Sequence, residues 1–461
     1  MKFALALLTT IGIVPATIYA QHATAAPDEE SWLTEISARS QEAGEKLAEA
    51  QTAFAALQRV IARAQAASGL SAAVAQPTGG PAQVDVEGDG RTNNGPANHD
   101  HNHGHHQTSA APLSPVVTNG IAQLAAVRSK VDVSALLNTG RPIASSGKPD
   151  VVGAFRFLCQ PSHLGYWDPL MFPGNRTGKS HLHQFFGNTA VDADSTYESL
   201  RTTGESTCMN IANRSGYWQP ALIQTAANGR DEVVVPEYIN IYYKRRPASD
   251  PHYTDKRTRP VNHPVNIPRG LRYIFGYPTQ KPKFKCVDPR TWKNLTDWSG
   301  NMGEVLARCP AGAELDATIH SPPCWDGKNL DSADHRSHMA YQVSNASTGH
   351  TYRCPASHPY EIATFTLQAM YKVLPTDRVQ TWRFSSDAMM APGKRAGSSF
   401  HADWFGAWED SVLETWQEWC INKLLSCSGG NLGNGSSLHE SDLHKELKQQ
   451  SGRRVPVPAI S

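Results

Sequence analysis

The sequence predicts a mainly β fold: a β-sandwich-like or β-rich domain with long disulfide-tied loops, preceded by an N-terminal helical, coiled-coil-like segment. From about residue 150, short runs such as 238–243 and 271–275 alternate or are rich in β-branched and aromatic residues, and Gly, Pro and Asn separate them. The chain has 8 Cys, all between Cys159 and Cys427, and an even count in one segment is typical of a disulfide framework in an exported protein.

Length and charge limit the possible function classes. The 461 residues suffice for two or three domains, and the formal net charge of +1 gives no overall field for nucleic acid or an acidic membrane. Because of this charge balance, we expect no nucleic-acid partner. No later stretch is long and apolar enough for a transmembrane helix, so we expect no membrane span. Gly-x-Ser-x-Gly, His-Glu-x-x-His, P-loop and dinucleotide motifs do not occur, which disfavours esterases, zincins, kinases and dehydrogenases.

Residues 1–25 predict a signal peptide. Lys2 gives a positive start, the apolar run 4–16 is too short to span a bilayer, and small residues follow, with Ala20 and Ala25 as candidate cleavage positions. The protein is therefore predicted to be secreted and extracellular.

Two helices are predicted before the β-rich region. Residues 28–67 carry a heptad-like apolar stripe, typical of an amphipathic helix that either packs on its own domain or forms a coiled coil for homo-oligomerisation. Residues 114–139 predict a second helix, because apolar residues from Val117 to Leu136 lie near one helical face.

A disordered linker is predicted over residues 68–113. It is rich in Gly, Pro, Ala and Asn. A histidine tract inside it is a candidate for metal binding, although nothing fixes a geometry and incidental affinity is the favoured interpretation. The tract contains His99, His101, His103, His105 and His106.

The β-rich domain is assigned to residues 150–410. Residues 411–427 predict a C-terminal helix with a local disulfide, and the polar, partly Gly/Ser-rich residues 428–461 predict a mobile tail. Eight cysteines allow about 105 pairings. Nearest-neighbour pairing predicts Cys159–Cys208, Cys286–Cys309, Cys324–Cys354 and Cys420–Cys427.

Two short His-containing pairs carry the first chemical signal. In a strand, His181 and His183 fall on one face because side chains alternate, and two adjacent imidazoles form half of a metal site or an acid–base pair. His401 and Asp403 have the same spacing. The alternative is structural, with these side chains holding turns and loops.

A polar loop over residues 324–338 carries the second signal. It has no helical or strand period, yet it concentrates Asp331, Asp334, His335 and His338 in a few residues. Polar groups crowded into a tethered loop face a ligand, a metal ion or each other.

If these clusters converge, imidazoles and carboxylates share one cleft, which suits proton transfer at a sugar ring or binding of a divalent metal ion. The candidate catalytic residues are His181, His183, Asp334, His335, His338, His401 and Asp403. The candidate substrate-binding residues, mostly rings able to stack on sugar, are Trp167, Trp325, Asp326 and Trp404. The candidate metal ligands in the domain are His181, His183 and His401.

Ordered motifs across the domain resemble the "domain of unknown function 1996" family of secreted fungal and bacterial proteins. The motifs lie at 159–163, 168–169, 173–174, 180–188, 218–220, 242–244, 268–271, 324–327, 334–341, 358–359, 385–387 and 401–404. The resemblance covers about residues 150–410. It implies work on polysaccharide or cell-wall glycan outside the cell, but brings no settled activity.

Three functions remain open at this point. The first is an extracellular polysaccharide hydrolase or lyase that uses His/Asp acid–base chemistry. The second is a secreted metal-binding or binding-only protein. The third is a structural cell-surface protein assembled through its N-terminal helix.

Five Asn-x-Ser/Thr sequons are candidate glycosylation acceptors, provided that the host glycosylates. They begin at Asn175, Asn213, Asn294, Asn345 and Asn434.

Overall fold

The structure is a computed structural model, and it describes residues 115–460 except 119, 255–261 and 345–351. The predicted signal peptide (1–25), amphipathic helix (28–67) and His-rich linker (68–113) lie outside the described residues.

The prediction of a mainly β fold is confirmed. The first strands are β1 (Val116–Thr118), β2 (Ile121–Gln123), β3 (Leu137–Asn138), β4 (Gly153–Cys159), β5 (Pro161–Gly165), β6 (His183–Gly187), β7 (Gly216–Pro220), β8 (Leu222–Thr225), β9 (Asp231–Val234), β10 (Tyr238–Arg245), β11 (His263–Pro264) and β12 (Arg272–Gly276). The later strands are β13 (Lys283–Val287), β14 (Glu314–His320), β15 (Cys324–Trp325), β16 (Met339–Ala340), β17 (Val343–Ser344), β18 (Tyr352–Arg353), β19 (Tyr360–Glu361), β20 (Thr364–Lys372), β21 (Arg383–Phe384), β22 (His401–Phe405), β23 (Ser426–Cys427), β24 (Ser437–Leu438) and β25 (Arg454–Pro456).

The helices are short. They are α1 (Tyr197–Thr202), α2 (Met302–Leu306), α3 (Asp410–Trp416) and α4 (Asp442–Lys448). A π-helical turn, Gln417–Ile421, continues α3, so helical structure covers 410–421, and the last residues of the predicted helix, 422–427, form a turn and β23 instead. Among the described residues, none of the helices has the length and apolar character that crossing a bilayer requires.

Two large sheets form the centre of the described domain. One has the strand order β13-β14-β20-β10-β4-β23, and the other has the order β12-β22-β7-β6-β5. Smaller sheets, β11-β19-β15-β16 and β21-β8-β9-β25, and three two-stranded sheets complete the β structure of the described residues.

Aromatic side chains from the two large sheets pack against each other. The hydroxyl groups of Tyr217 in β7 and Tyr243 in β10 are 2.8 Å apart. The rings of Trp404 in β22 and Phe365 in β20 have centroids 5.5 Å apart. Because strand side chains alternate, the neighbours of these residues, Trp218 and Asp403, fall on the opposite face of the five-stranded sheet. That opposite face carries the site described below.

The predicted second helix, 114–139, is not present. The segment forms β1, β2, a 3-10 turn at Val133–Leu136 and β3. Gly120, at φ 77°, makes the turn between β1 and β2. The backbone N–H of Leu124 donates to the carbonyl of Arg269 at 3.0 Å, so the apolar residues anchor extended chain to the domain.

The C-terminal residues 428–461 are not the unstructured tail that composition predicts. They contain β24 and α4, and β25 pairs antiparallel with β9, with Arg454 opposite Val234. Arg454 binds both carboxylate oxygens of the buried Asp377. Polar contacts and two buried apolar side chains, Leu432 and Leu438, hold this segment, and two apolar residues six apart give no periodic signal.

Four disulfides tie the described residues together. They are the nearest-neighbour pairs predicted from the sequence: Cys159–Cys208, Cys286–Cys309, Cys324–Cys354 and Cys420–Cys427. Four disulfides are consistent with an oxidising, extracellular setting.

Candidate functional site

Strands β6 and β22 bring the two His-containing pairs together because both flank β7. His183 in β6 lies opposite Pro220 in β7, and Asp403 in β22 lies opposite Trp218. The register that pairs Asp403 with Trp218 places His401, two residues earlier, beside Pro220. His183 and His401 therefore approach from either side of one strand, on the sheet face away from the six-stranded sheet.

Three histidines meet at this point. The ring centroids of His181 and His183 are 4.2 Å apart, those of His181 and His401 are 5.1 Å apart, and those of His183 and His401 are 6.4 Å apart. One ligand nitrogen from each ring lies within 4.8 Å of the other two. The predicted metal candidates of the domain thus form one cluster.

Hydrogen bonds fix two of these imidazoles in a ligand-competent tautomer. Nδ1 of His183 is 3.0 Å from the carbonyl oxygen of Trp167, and Nδ1 of His401 is 2.9 Å from that of Ser399. A carbonyl oxygen can only accept, so each Nδ1 must carry the hydrogen and each Nε2 presents a lone pair when the ring is neutral. Protein ligands of metal ions are commonly oriented by such bonds to backbone carbonyls.

Nε2 of His181 and Nε2 of His183 are buried without a hydrogen-bond partner among the described residues. A buried polar atom without a partner is destabilising by about 1–3 kcal/mol. Two such atoms in one cluster therefore call for a ligand.

Two buried carboxylates adjoin the histidines. Asp168, His183 and Asp403 also offer ligand atoms within 4.8 Å of one another. Asp403 is fully buried, and neither of its carboxylate oxygens has a hydrogen-bond partner among the described residues. Asp168 is 4% exposed, and its Oδ1 accepts the backbone N–H groups of Leu170 and Met171.

Burial disfavours the charged form of each of these groups. It lowers the pKa of His183 and of His401 to about 4, and it lowers the pKa of His181 further, helped by the charges of the other two imidazoles. Burial also raises the pKa of Asp403 well above its ordinary value, and that of Asp168 above its own. Without a cation, the cluster excludes charge.

A bound cation would reverse this preference. It would attract the ionised form of each carboxylate and the lone pair of each imidazole, so all five side chains respond to the same ligand.

Arg336 reaches the same region from the polar loop. Its Nη1 donates to the carbonyl of Ile274 at 3.1 Å, and Ile274 pairs with Asp403 across β12 and β22. The positive charge of Arg336 opposes the rise in the pKa of Asp403. Arg336 is half-buried. Its hydrogen bond to Ile274 places a guanidinium group beside the cluster.

The segment after β5 covers the cluster. Trp167 is partly exposed and stacks on Phe185 at a centroid distance of 5.9 Å. Gly165 is required for this arrangement, because a Cβ at that position would lie 2.5 Å from the Trp167 ring. The absence of a side chain at Gly165 lets Trp167 fold back and present its carbonyl to His183.

Most of the predicted polar loop has a structural role. His338 is 1% exposed, and its ring nitrogens are bonded to the hydroxyl of Ser332 at 2.8 Å and the carbonyl of Arg272 at 3.0 Å. Asp334 accepts the backbone N–H groups of Arg336 and Ser337 and so fixes a turn. The structure does not bring His338 into the cluster, and Asp334 is engaged in its own loop.

His335 lies between the loop and the cluster. Its Nδ1 is 2.8 Å from Oδ1 of Asp331, and its backbone adopts φ 55°, which is uncommon for a residue with a side chain. Its carbonyl oxygen accepts the backbone N–H of Ile274, the residue paired with Asp403, so it lies at the periphery of the cluster.

Three of the predicted substrate-binding residues do not fit that role in this structure. Trp325 and Trp404 are fully buried, and neither ring has a face open to a sugar. Alternation along β22 turns Trp404 into the core while Asp403 faces the site. Asp326 fixes a turn by accepting the backbone N–H groups of Lys328 and Asn329. Trp167 remains beside the site.

Asp168 and Arg336 are absent from the candidate catalytic, substrate-binding and metal-ligating residues, and Asp168 enters the sequence prediction only through the motif at 168–169. Asp168 directly follows Trp167, which was predicted, and an acidic residue next to a site aromatic was the available signal. Arg336 lies between His335 and His338 in a loop without period, and no sequence signal separates it from its neighbours.

The cluster fits a metal ion in chemistry and approximately in size. Imidazole nitrogens and a carboxylate suit Zn²⁺ and other first-row divalent ions. Ligands about 2.1 Å from one ion lie at most about 4.2 Å apart, so atoms within 4.8 Å of one another need only small side-chain adjustments.

Comparison with known proteins gives a family and no relative of established activity. No curated protein and no solved structure matches the chain. The family model described as "Domain of unknown function (DUF1996)" matches residues 168–408, which is more than half of the chain and includes every residue of the His/Asp cluster. The chain therefore belongs to the DUF1996 family.

Proposed function

We propose that the DUF1996 domain of this secreted protein holds a divalent first-row transition-metal ion through His181, His183, His401 and Asp403. The observation that carries the proposal is a set of buried, unpartnered atoms on residues that have His183 as a common neighbour: Nε2 of His181, Nε2 of His183 itself and both carboxylate oxygens of Asp403. Three imidazoles with a carboxylate form a ligand set typical of metal centres in proteins.

When bound, the ion would supply Lewis acidity and lower the pKa of a coordinated water. Asp168 is placed to accept a proton, since it adjoins His183 and Asp403. In this proposal Arg336 offsets negative charge at the site, which is supported by its hydrogen bond to the carbonyl of Ile274, the residue paired with Asp403. Trp167 borders the site with a partly exposed ring.

The proposed substrate is an extracellular polysaccharide or cell-wall glycan, cleaved by hydrolysis or elimination. Its support comes from the sequence: the predicted export of the chain and the secreted character of the proteins it resembles. The partly exposed Trp167 is compatible with stacking on a sugar ring, the usual use of an aromatic side chain at such a site.

A second candidate is His/Asp acid–base cleavage without a metal ion. One observation favours it: burial raises the pKa of Asp168 and Asp403, and a carboxyl group kept protonated can act as a general acid. The full burial of Asp403 counts against direct contact with a polymer.

An activity assay separates the two candidates. Wild-type protein, His183→Ala and His358→Ala would be incubated with glucans, chitin and uronans, with and without a chelator, and the products separated by chromatography. His358 is the matched control, because its ring bonds Ser357 and Ser337 outside the cluster.

We expect products from wild type and His358→Ala, and none from His183→Ala or after chelation. Product formation unaffected by the chelator would support the metal-free mechanism. Products from His183→Ala equal to those from wild type would contradict both mechanisms.

A further inference from the structure

The loop between β13 and α2 contains one of the five sequons, Asn294-Leu295-Thr296. The Cys286–Cys309 disulfide encloses this loop. Asn294 is exposed, and it lies opposite Val287 in an isolated antiparallel bridge. The acceptor residue is therefore held at a defined place on the surface, and it is far in the chain from every residue of the His/Asp cluster.

Lys285 orients the side-chain amide of Asn294. Its Nζ donates to Oδ1 of Asn294 at 3.0 Å, and the same Nζ lies 4.5 Å from the ring centroid of Trp298. An ammonium group can only donate, so the amide oxygen must face Lys285. The amide nitrogen Nδ2, the atom that carries an N-linked glycan, then points away from Lys285.

Backbone hydrogen bonds hold the chain that leads into the sequon. Trp292 N donates to the carbonyl of Asp288 at 2.8 Å, and Asp288 N donates to the carbonyl of Lys293 at 2.9 Å. Two backbone N–H groups, those of Leu295 and Thr296, share the carbonyl of Cys286. The sequon follows this turn and is tied to the backbone of Cys286, so a glycan on Asn294 would start from a fixed position.

Trp292, two residues before Asn294, is 63% exposed and has φ 57°. A large ring in this sparsely populated backbone region, on the surface and without burial, is unfavourable on its own. Leu295 is 42% exposed beside it. The apolar face of a sugar attached at Asn294 is a suitable cover for both, because aromatic rings stack on pyranose faces.

The other described sequons lack this arrangement. Asn213 is fully buried. Asn175 and Asn434 turn Oδ1 back onto their own sequons, onto Thr177 and Ser436 respectively. Among the sequons within the described residues, Asn294 alone has an aromatic residue at the position two before it.

From this geometry we infer that Asn294 is an N-glycosylation site when the chain passes through a eukaryotic secretory pathway, and that Trp292 packs against the first sugar. In the transfer, Nδ2 forms a bond to the anomeric carbon of a lipid-diphosphate-linked oligosaccharide and loses one proton. The bond from that carbon to the diphosphate breaks, and the lipid diphosphate leaves with the electron pair.

Peptide mapping tests the modification. The full chain is secreted from a eukaryotic host and treated with an amidase that converts glycosylated Asn to Asp in ¹⁸O-water, and the peptides are analysed by mass spectrometry. We expect the label at Asn294 and none at the buried Asn213. An unlabelled Asn294 overturns the inference, whatever the other sequons carry.

A thermodynamic cycle tests the packing. Trp292→Ala is expected to lower the Tm of the glycosylated protein by about 2 °C, and to leave the Tm unchanged when Asn294→Gln removes the glycan. Trp292→Ala and Asn294→Gln both lie on an exposed loop, so folding is retained. An equal effect of Trp292→Ala in both backgrounds would overturn the packing of Trp292 on the sugar.

Discussion

Nε2 of His401 lies 4.0 Å from Oδ2 of Asp403, too far for a hydrogen bond, and both oxygens of that buried carboxylate lack a partner among the described residues. A carboxylate in this setting must either carry a proton or face a cation. The gap between the two side chains is a suitable place for that cation, because His183 offers a ligand atom within 4.8 Å of each of them.

Asp403→Asn separates the metal role of Asp403 from a structural one. The substitution keeps the shape but removes the charge that burial opposes. We expect an unchanged or higher Tm in the presence of a chelator, and loss of the stabilisation that Zn²⁺ gives wild type, about 2.7 kcal/mol at 100 times the Kd. Differential scanning calorimetry with and without Zn²⁺ measures both.

Asp194→Asn is the matched control for Asp403→Asn, because Asp194 is exposed and pairs with Arg176 on the surface. It should keep the response to Zn²⁺. A full response in Asp403→Asn would exclude this carboxylate as a ligand.

Metal binding by the cluster should persist in mild acid. An imidazole binds metal only when neutral, and burial lowers the pKa of His183 and His401 to about 4. The neutral forms therefore persist as the pH falls from 7 to about 5 and are lost near pH 4. Imidazoles with the ordinary pKa protonate near pH 6.5, so a metal site built from such side chains should release its ion earlier.

Zn²⁺ titration calorimetry at pH 7, 6 and 5 measures this difference, with a chain lacking residues 99–106 as the control. The shortened chain should still bind Zn²⁺ at pH 5, more weakly than at pH 7 because the buried carboxyl group of Asp403 must release its proton to bind. A loss of all binding between pH 7 and 6 would show that exposed histidines are the ligands.

The strand alternation was predictable and the neighbours of each strand were not. Spacing alone placed His401 and Asp403 on one face of β22. His181 precedes β6 and contacts His183 from outside the strand. Nothing in the sequence indicates that β7 separates β6 from β22, and this strand order is what joins the two pairs. The burial of Trp404 follows from the same alternation once the facing sheet is known.

The loops and the C-terminal segment were harder to predict. The His335–His338 loop concentrates polar residues because turns and backbone carbonyls use them, and its composition resembles that of a binding loop. The segment 428–461 is held by side-chain contacts such as Arg454 with Asp377, which apolar patterning does not detect.

Arg454→Ala should destabilise the protein by about 3 kcal/mol, because it leaves the buried carboxylate of Asp377 without its guanidinium. The side chains of Arg454 and Asp377 are 10% and 1% exposed. Urea unfolding measures the change, and limited proteolysis should show faster cleavage after residue 448. Stability equal to wild type would show that β25 does not anchor the C-terminal segment.

Glu314→Gln should stabilise the protein at high pH. Burial, followed by the charge of Glu237, raises the pKa of Glu314 to about 7. Below the ordinary pKa of 4.5 the carboxyl group is protonated in both the folded and the unfolded chain. As the pH rises, the unfolded chain releases this proton first, so the protein loses stability until the pH has passed about 7. The amide of Gln does not titrate, so Glu314→Gln removes this loss of folding free energy, which is on the order of 2 kcal/mol.

Urea unfolding at pH 5 and pH 8 tests this effect, with the exposed Glu446→Gln as the control. The gain from Glu314→Gln should be larger at pH 8 than at pH 5. An equal or smaller gain at pH 8 would contradict the raised pKa.

Metal content per folded chain tests the central claim most directly. A chain lacking residues 99–106 would be loaded with Zn²⁺, separated from free ion by gel filtration and analysed by elemental mass spectrometry, beside the same chain with His183→Ala or His358→Ala. We predict one tightly held ion in the parent and in His358→Ala, and none in His183→Ala. A folded parent that retains no ion, or a His183→Ala variant that retains as much as the parent, would contradict the metal centre.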